Sequence, residues 1–109
     1  MANHPAVLVL AWVPDGAVSR LAAAFPSLEI IDARDKAVRD RHLARAVITY
    51  GLPPVDRLAE AVQLRWVQLS AAGVPRDLCR VASARGLTVT NLAGLYGPEI
   101  GRASCRERV

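Results

Sequence analysis

The sequence predicts an open, mostly parallel α/β sheet of flavodoxin-like type, with about five strands and helices on both faces. Three observations support this class. Short apolar segments of strand length alternate with helical segments, their connections are short, and the first segment is apolar throughout. A strand that is apolar at every position is typical of a parallel sheet covered on both faces. The length of 109 residues is sufficient for one domain.

The first half of the chain contains three of the predicted strands. Residues 6–13 form the first, and Asp15 is expected to cap a helix that continues to about Phe25. The positions of this helix that are expected to face inward are Val18, Leu21, Ala22 and Phe25. Strands are also predicted at residues 28–31 and at Ala46–Tyr50. The charged stretch between them, residues 33–45, is expected to hold an irregular surface helix.

The second half contains the other two strands. Two prolines open a predicted helix over residues 55–61, with Val55, Leu58, Ala59 and Val62 on one face. A strand at residues 66–69 leads into Ser70, Ala71, Ala72, Gly73 and Val74, a run we name the 70–74 loop. The helix Arg76–Arg85 is expected to end at Gly86 and to bury Leu78, Val81 and Ala82. Residues 87–90 form the last strand.

The 70–74 loop is the most informative connection. Right-handed crossovers place all loops that follow strands at the carboxyl edge of the sheet, where ligands of such folds bind. A loop of small residues lets backbone amides approach an anion, and the following helix contributes its positive end. The pattern alone fits two interpretations equally, a carboxylate-binding loop or a tight turn without a ligand.

Composition excludes several classes of protein. Half of the net charge of +4 lies in residues 100–109, and the other basic residues are scattered without interleaved aromatics, so no nucleic-acid partner is expected. No apolar run is long enough to span a membrane and no signal peptide is recognisable, so a cytoplasmic location is expected. Cys79 and Cys105 form neither a CxxC motif nor a metal set, and Cys79 is expected to be a buried small hydrophobe. Neither His4 nor His42 is expected to be a catalytic base.

Three segments together resemble a known family. They are RWVQLSAAGV at 65–74, RGLTVTN at 85–91 and GLYGP at 94–98. Their order and spacing resemble the N-terminal, substrate-binding lobe of D-isomer-specific 2-hydroxyacid dehydrogenases. That lobe carries a strand, a small-x-Gly-Val loop, a helix and a strand ending in Asn. The resemblance covers most of residues 46–99.

The resemblance implies reduction of 2-keto acids, or oxidation of 2-hydroxy acids, with NAD or NADP. It implies that the amides of Ala72 and Gly73 bind the substrate carboxylate. Leu95 and Tyr96 would face the cleft, and the strand-ending pair Tyr50 and Gly51 would line it. A full-length protein would be expected to form a homodimer and to have no membrane partner.

The same resemblance predicts what this chain lacks. The family's catalytic Arg, Glu and His lie further along the chain and have no counterpart here, and no GxGxxG motif is present. We therefore expect no catalytic residue, no metal site and no bound cofactor in this chain. By itself it should be inactive, with NAD or NADP held by a cofactor domain of a longer protein. Ala93 stands where many family members have proline.

The resemblance stops near residue 100. We expect residues 1–99 to form an incomplete substrate-side domain. Residues 100–109, IGRASCRERV, resemble a translated sequencing adapter and are expected to be an artefactual, disordered tail, a natural basic tail being the alternative.

The sequence also bears on two other functional classes. A receiver domain would need an aspartate after the third strand and a lysine after the fifth, whereas that third strand ends in Tyr50-Gly51 and Lys36 is the only lysine. A standalone flavodoxin-like module that binds a ligand or a partner without catalysis is the main alternative to the dehydrogenase.

Overall fold

A computed structural model describes residues 4–92 of the chain. Within that range the elements are β1 Ala6–Val9, α1 Ala17–Ala24, β2 Glu29–Asp32, α2 Lys36–His42, a 3₁₀ turn Leu43–Arg45, β3 Ala46–Tyr50, a 3₁₀ helix Val55–Glu60, β4 Trp66–Gln68, α3 Arg76–Arg85 and β5 Thr88–Thr90. All strand pairs are parallel and their order is β2-β1-β3-β4-β5. The prediction of a five-stranded flavodoxin-like sheet is confirmed. The boundary at residue 99 and the tail lie outside the described residues.

Strand register defines two faces of the sheet. Leu8 pairs with Thr49, Thr49 with Val67, and Val67 with Val89, so these side chains share one face. We name it the α3 face, because Val67, Val89 and the α3 residue Leu78 belong to one cluster. The neighbouring rung, Val9, Asp32, Tyr50, Gln68 and Thr90, lies on the opposite face. We name that the α1 face. The crossovers after β2, β3 and β4 all progress towards the β5 edge of the sheet, whereas the crossover from β1 to β2 progresses the other way and so places α1 on the opposite face.

The α3 face carries most of the hydrophobic core. Leu58, Val67 and Leu78 are fully buried there, one from each of three successive elements. Leu8 forms a second cluster with Ala33 and Ala46, against which Val38 of α2 packs. At about 25 cal/mol per Å² of buried apolar surface, each fully buried leucine contributes about 2 kcal/mol.

Helix α3 follows its sequence prediction closely. Its bounds are Arg76–Arg85, and Gly86 ends it in the left-handed conformation with φ of 70°. Leu78 and Ala82 are buried and Val81 packs against the same cluster, as predicted. Cys79 is buried as a small hydrophobe, which confirms its assignment.

The prediction for the first helix is wrong in two respects. Asp15 does not cap α1; Gly16 is the N-cap residue, with φ of 81°, and no side chain accepts a hydrogen bond there. None of the inward-predicted residues is buried, and Leu21 and Phe25 are 41% and 50% exposed. The helix has the expected amphipathic spacing, but the described residues provide little surface for its apolar side to pack on.

Two other elements depart from the sequence prediction. The first strand ends at Val9 rather than at residue 13, and Trp12 is 76% exposed beyond it. The helix expected at residues 55–61 is a 3₁₀ helix in which Leu58 is buried, whereas Ala59 and Val62 are exposed. A 3₁₀ helix has three residues per turn, so positions chosen at α-helical spacing do not share its buried side. No helix in residues 4–92 is long and apolar enough to cross a membrane.

Candidate functional site

The 70–74 loop lies at the carboxyl edge of the sheet, next to the end of β3. Strands β3 and β4 are neighbours, and the Gly51 amide donates to the Gln68 carbonyl at 2.8 Å. The structure therefore brings Tyr50 and Gly51 to the same edge as the loop. Leu95 and Tyr96, the other two residues predicted to line the cleft, lie outside the described residues.

Two main-chain hydrogen bonds to the β5 side hold the start of the 70–74 loop. The Leu69 amide donates to the Thr90 carbonyl at 2.8 Å, and the Leu92 amide donates to the Ala71 carbonyl at 3.1 Å. Beyond these anchors, Ala72 is half-buried and Gly73 is exposed. Within residues 4–92, neither the Ala72 nor the Gly73 amide donates to a main-chain carbonyl. Both amides are therefore available as donors to a bound anion.

The two glycines at this edge, Gly51 and Gly73, differ in whether packing requires glycine at their position. Gly51 is buried with φ of 108°, and a Cβ there would lie 2.8 Å from the Ala11 nitrogen. The packing of the loop after β1 against the end of β3 thus requires glycine. A Cβ at Gly73 would meet no described atom within 4 Å. Packing of the described residues therefore does not require glycine at position 73. The Gly73 amide is open to approach by another molecule.

Tyr50 is held by its backbone. Its carbonyl accepts a hydrogen bond from the Leu10 amide at 2.8 Å, and its half-buried side chain lies on the α1 face beside Gln68. The 70–74 loop, in contrast, runs towards α3 on the opposite face. Tyr50 therefore borders the edge from the far side of the sheet.

Helix α3 begins directly after the loop. Pro75 is its N-cap residue and Arg76 its first residue, so the first turn of α3, whose amides lack carbonyl partners within the helix, lies next to the loop. Asp77 uses one carboxylate oxygen to accept from the Leu78 amide at 2.9 Å. The positive end of the helix dipole adds to the attraction of this edge for an anion.

Sequence reasoning missed three side chains that lie close to the loop. Trp66, Gln68 and Thr90 form a hydrogen-bonded chain on the α1 face of β4 and β5. Trp66 and Thr90 are separated by 24 residues in the sequence. Only the strand register brings them together, so no local pattern could have revealed the contact.

Ionisable side chains with shifted pKa values lie outside the 70–74 loop. At the carboxyl end of β2, two hydrogen bonds from Arg34 lower the pKa of Asp32 to about 2. Asp32 therefore remains a carboxylate at neutral pH and is unsuited to donating a proton. At the other edge, a bidentate bond from Arg45 lowers the pKa of Glu29. The side chain of Arg45 also donates to Nδ1 of His42, which gives that histidine a structural partner.

The described residues contain no candidate metal centre. Within residues 4–92, no group of three or more His, Cys, Asp or Glu side chains is placed to hold an ion. The connection from β1 to α1 contains a single glycine, Gly16, and therefore lacks the glycine-rich turn that binds a dinucleotide pyrophosphate.

Comparison with known proteins gives a structural likeness only. No protein-family model and no curated protein sequence matches the chain. A phosphoglycerate dehydrogenase from Lactobacillus plantarum has a similar structure, with a TM-score of 0.65 and 22% identity over 91% of this chain. A phosphoglycerate oxidoreductase from Rhizobium etli superposes with a TM-score of 0.63 and 21% identity over 83% of this chain.

The share of those proteins that is matched is small. The chain spans 36% of the first structure and 31% of the second, about a third of each. The chain therefore shares the fold of one part of each of these two structures.

Proposed function

We propose that this chain is the substrate-binding part of an NAD(P)-dependent D-2-hydroxyacid dehydrogenase. The 70–74 loop binds the carboxylate of a 2-keto or 2-hydroxy acid through the Ala72 and Gly73 amides. The observation that carries the proposal is the open, unpaired Gly73 backbone at the carboxyl edge of the sheet. The likeness to two dehydrogenase structures in fold supports the choice of reaction.

Binding of a carboxylate follows from the loop's chemistry. Two adjacent amides and the start of α3 present hydrogen-bond donors and partial positive charge without a competing acidic side chain in the loop. Tyr50 and Gly51 border the same edge, and we assign them, with Leu95 and Tyr96, to the walls of the substrate cleft. The chemical nature of this site, a few amides and small side chains, suits a small anion rather than a polymer.

The described residues do not fit a nicotinamide cofactor. Within residues 4–92, the β1–α1 connection has only Gly16, and no other connection before a helix contains more than one glycine. We therefore assign NAD or NADP, the catalytic residues and the contact between two copies to further parts of a longer protein. When bound there, the reduced cofactor would supply a hydride to a 2-keto acid, or the oxidised cofactor would accept one from a 2-hydroxy acid. This chain contributes substrate binding only.

Titration of the ¹⁵N-labelled chain with pyruvate, a small 2-keto acid, tests the proposal. Shifts of the Ala72 and Gly73 amide resonances should saturate in the millimolar range, because the site offers few contacts. Gly73→Val should abolish these shifts without unfolding the chain, since its side chain meets no described atom at Cβ. Ala84→Val, an exposed substitution on α3, is the matched control. Absence of shifts in the wild type, or shifts that persist in Gly73→Val, would contradict the proposal.

A further inference from the structure

Three side chains on the α1 face form a continuous hydrogen-bonded chain that ends at the 70–74 loop. The indole Nε1 of Trp66 donates to the Thr90 hydroxyl oxygen at 2.8 Å. The Thr90 hydroxyl donates to the Gln68 Oε1 atom. The Gln68 Nε2 atom donates to the Leu69 carbonyl at 3.0 Å. We name these three residues the Trp66 relay.

The donor and acceptor inventory orients the Gln68 amide. The Leu69 carbonyl can only accept, so the Gln68 Nε2 atom must face it, and the Oε1 atom then faces the Thr90 hydroxyl. The single hydroxyl proton of Thr90 is donated to that oxygen, while the Thr90 oxygen accepts from the indole nitrogen of Trp66, which can only donate. Thr90 and Trp66 thereby hold the Gln68 amide in the orientation in which its nitrogen meets the backbone.

The last bond of the relay leaves the sheet. Main-chain pairing already joins β4 to β5 from Trp66 and Thr88 to Gln68 and Thr90, so the strands have a ladder without these side chains. The Leu69 carbonyl belongs to the peptide group that opens the 70–74 loop. The relay thus adds a third attachment to the two main-chain bonds that hold the loop, at Leu69 and Ala71.

We propose that Trp66, Thr90 and Gln68 are positioning residues that orient the Leu69–Ser70 peptide and, through it, the Ala72 and Gly73 amides. The inference rests on the proposed carboxylate-binding function of the loop. The short sequence distance from Leu69 to Gly73 means that rotation of the first peptide redirects the amides that follow. A loop without large side chains has little packing of its own to resist such rotation, so the relay adds to the bond from the Leu92 amide, which holds the peptide group of Ala71 and Ala72.

Thr90→Val tests the relay, because valine has the shape of threonine and neither accepts from Trp66 nor donates to Gln68. We expect ¹⁵N order parameters of residues 70–73 to fall from a rigid value near 0.85 towards about 0.6. The affinity for pyruvate should fall about two- to tenfold, the effect of one hydrogen bond. Thr90→Ser keeps the hydroxyl and should restore both values.

Gln68→Glu gives a second, independent test. Its carboxylate places an oxygen against the Leu69 carbonyl, so loop order and pyruvate affinity should fall as in Thr90→Val. If Thr90→Val fails to fold, shown by loss of dispersed β1 and β2 amide resonances, Gln68→Glu decides the matter. The matched control is Thr88→Val, which lies on the same face of β5 outside the relay.

Hydrogen exchange separates positioning from a purely structural role. The Leu69 amide, bonded to the Thr90 carbonyl, reports on pairing between β4 and β5. If the variants show faster exchange at Leu69 but unchanged order in residues 70–73, the inference would be overturned. The relay would then only stabilise the pairing of β4 with β5. If the variants lower the order of residues 70–73 but the wild type does not bind pyruvate, the proposed function would be contradicted instead. The positioning role would then stand.

Discussion

The two faces of the sheet differ in how completely they are covered. On the α3 face, Leu58, Val67 and Leu78 are fully buried between the strands, α3 and the 3₁₀ helix. On the α1 face, α1 buries none of its residues and Trp66 is 39% exposed. The α3 face therefore carries most of the buried core of the described residues, while the α1 face keeps side chains such as Trp66 accessible next to the candidate site.

A matched pair of leucine truncations should show the largest difference between the faces. Leu78→Ala removes a fully buried side chain and should destabilise the fold by about 2–5 kcal/mol. Leu21→Ala, on the partly exposed side of α1, should cost about 1 kcal/mol or less. Urea denaturation monitored by circular dichroism measures both values. Equal losses would show that α1 is packed as tightly as α3.

Arg85 should produce the next largest effect, because it links α3 to the 3₁₀ helix. Its guanidinium donates to the Leu58 and Ala61 carbonyls at 2.8 and 2.7 Å. Arg85→Met should cost about 1–3 kcal/mol, since two half-buried carbonyls lose a charged donor. Arg80→Met on the same helix is the control, because Arg80 has no ion pair in the described range. A similar loss of stability in both variants would instead attribute the effect to the change in helix propensity.

Thr49 offers a smaller change of opposite sign on the α3 face. Its hydroxyl is fully buried between Leu8 and Val67 and has no hydrogen-bond partner within the described residues. Thr49→Val keeps the shape and removes the unsatisfied group, so it should stabilise the fold by about 1 kcal/mol. Thr88→Val, exposed on the α1 face, should change stability by about 0.5 kcal/mol or less. Destabilisation by Thr49→Val would reveal a partner for the hydroxyl.

The smallest effect should come from the exposed pair Asp32 and Arg34, whose side chains lie 2.6 Å apart. Arg34 lowers the pKa of Asp32 from 3.8 to about 2, so the folded state favours the carboxylate. The pair therefore stabilises the fold above about pH 4, and this contribution is lost as the pH falls through the folded pKa. The two side chains are 41% and 44% exposed, so solvent screening keeps this contribution small.

Melting temperatures of Asp32→Asn and of the wild type, compared between about pH 5 and pH 2, measure that contribution. The difference between the two should shrink as the pH falls. Asp56→Asn, exposed and without an ion pair in residues 4–92, should follow the wild type. A constant difference for Asp32→Asn would assign its effect to something other than the charge.

Elements delimited by strong local signals were predictable from the sequence. Strand Ala46–Tyr50 stops at Gly51, and helix Arg76–Arg85 stops at Gly86, where both glycines adopt positive φ. The first strand was predicted too long, because apolar residues such as Trp12 continue past the point where pairing ends. Hydrophobicity records the potential for burial, whereas strand pairing depends on the neighbouring chain.

The candidate site divides in the same way. The 70–74 loop could be found from its small residues alone, since the lack of side chains is itself a sequence signal. The Trp66 relay could not, because its contacts depend on the register between β4 and β5. The packing role of Gly51 was equally hidden, since it depends on the position of Ala11 in a different loop.

The parallel pairing of the centre of the sheet has a consequence for how the chain folds. Val7 pairs with Ile48, roughly forty residues along the chain, and the whole of α1, β2 and α2 lies between them. No tight hairpin can nucleate such a sheet, because every parallel pair needs a crossover. Ring closure must precede most native contacts, so we expect refolding to be slower than that of a helical bundle of equal size.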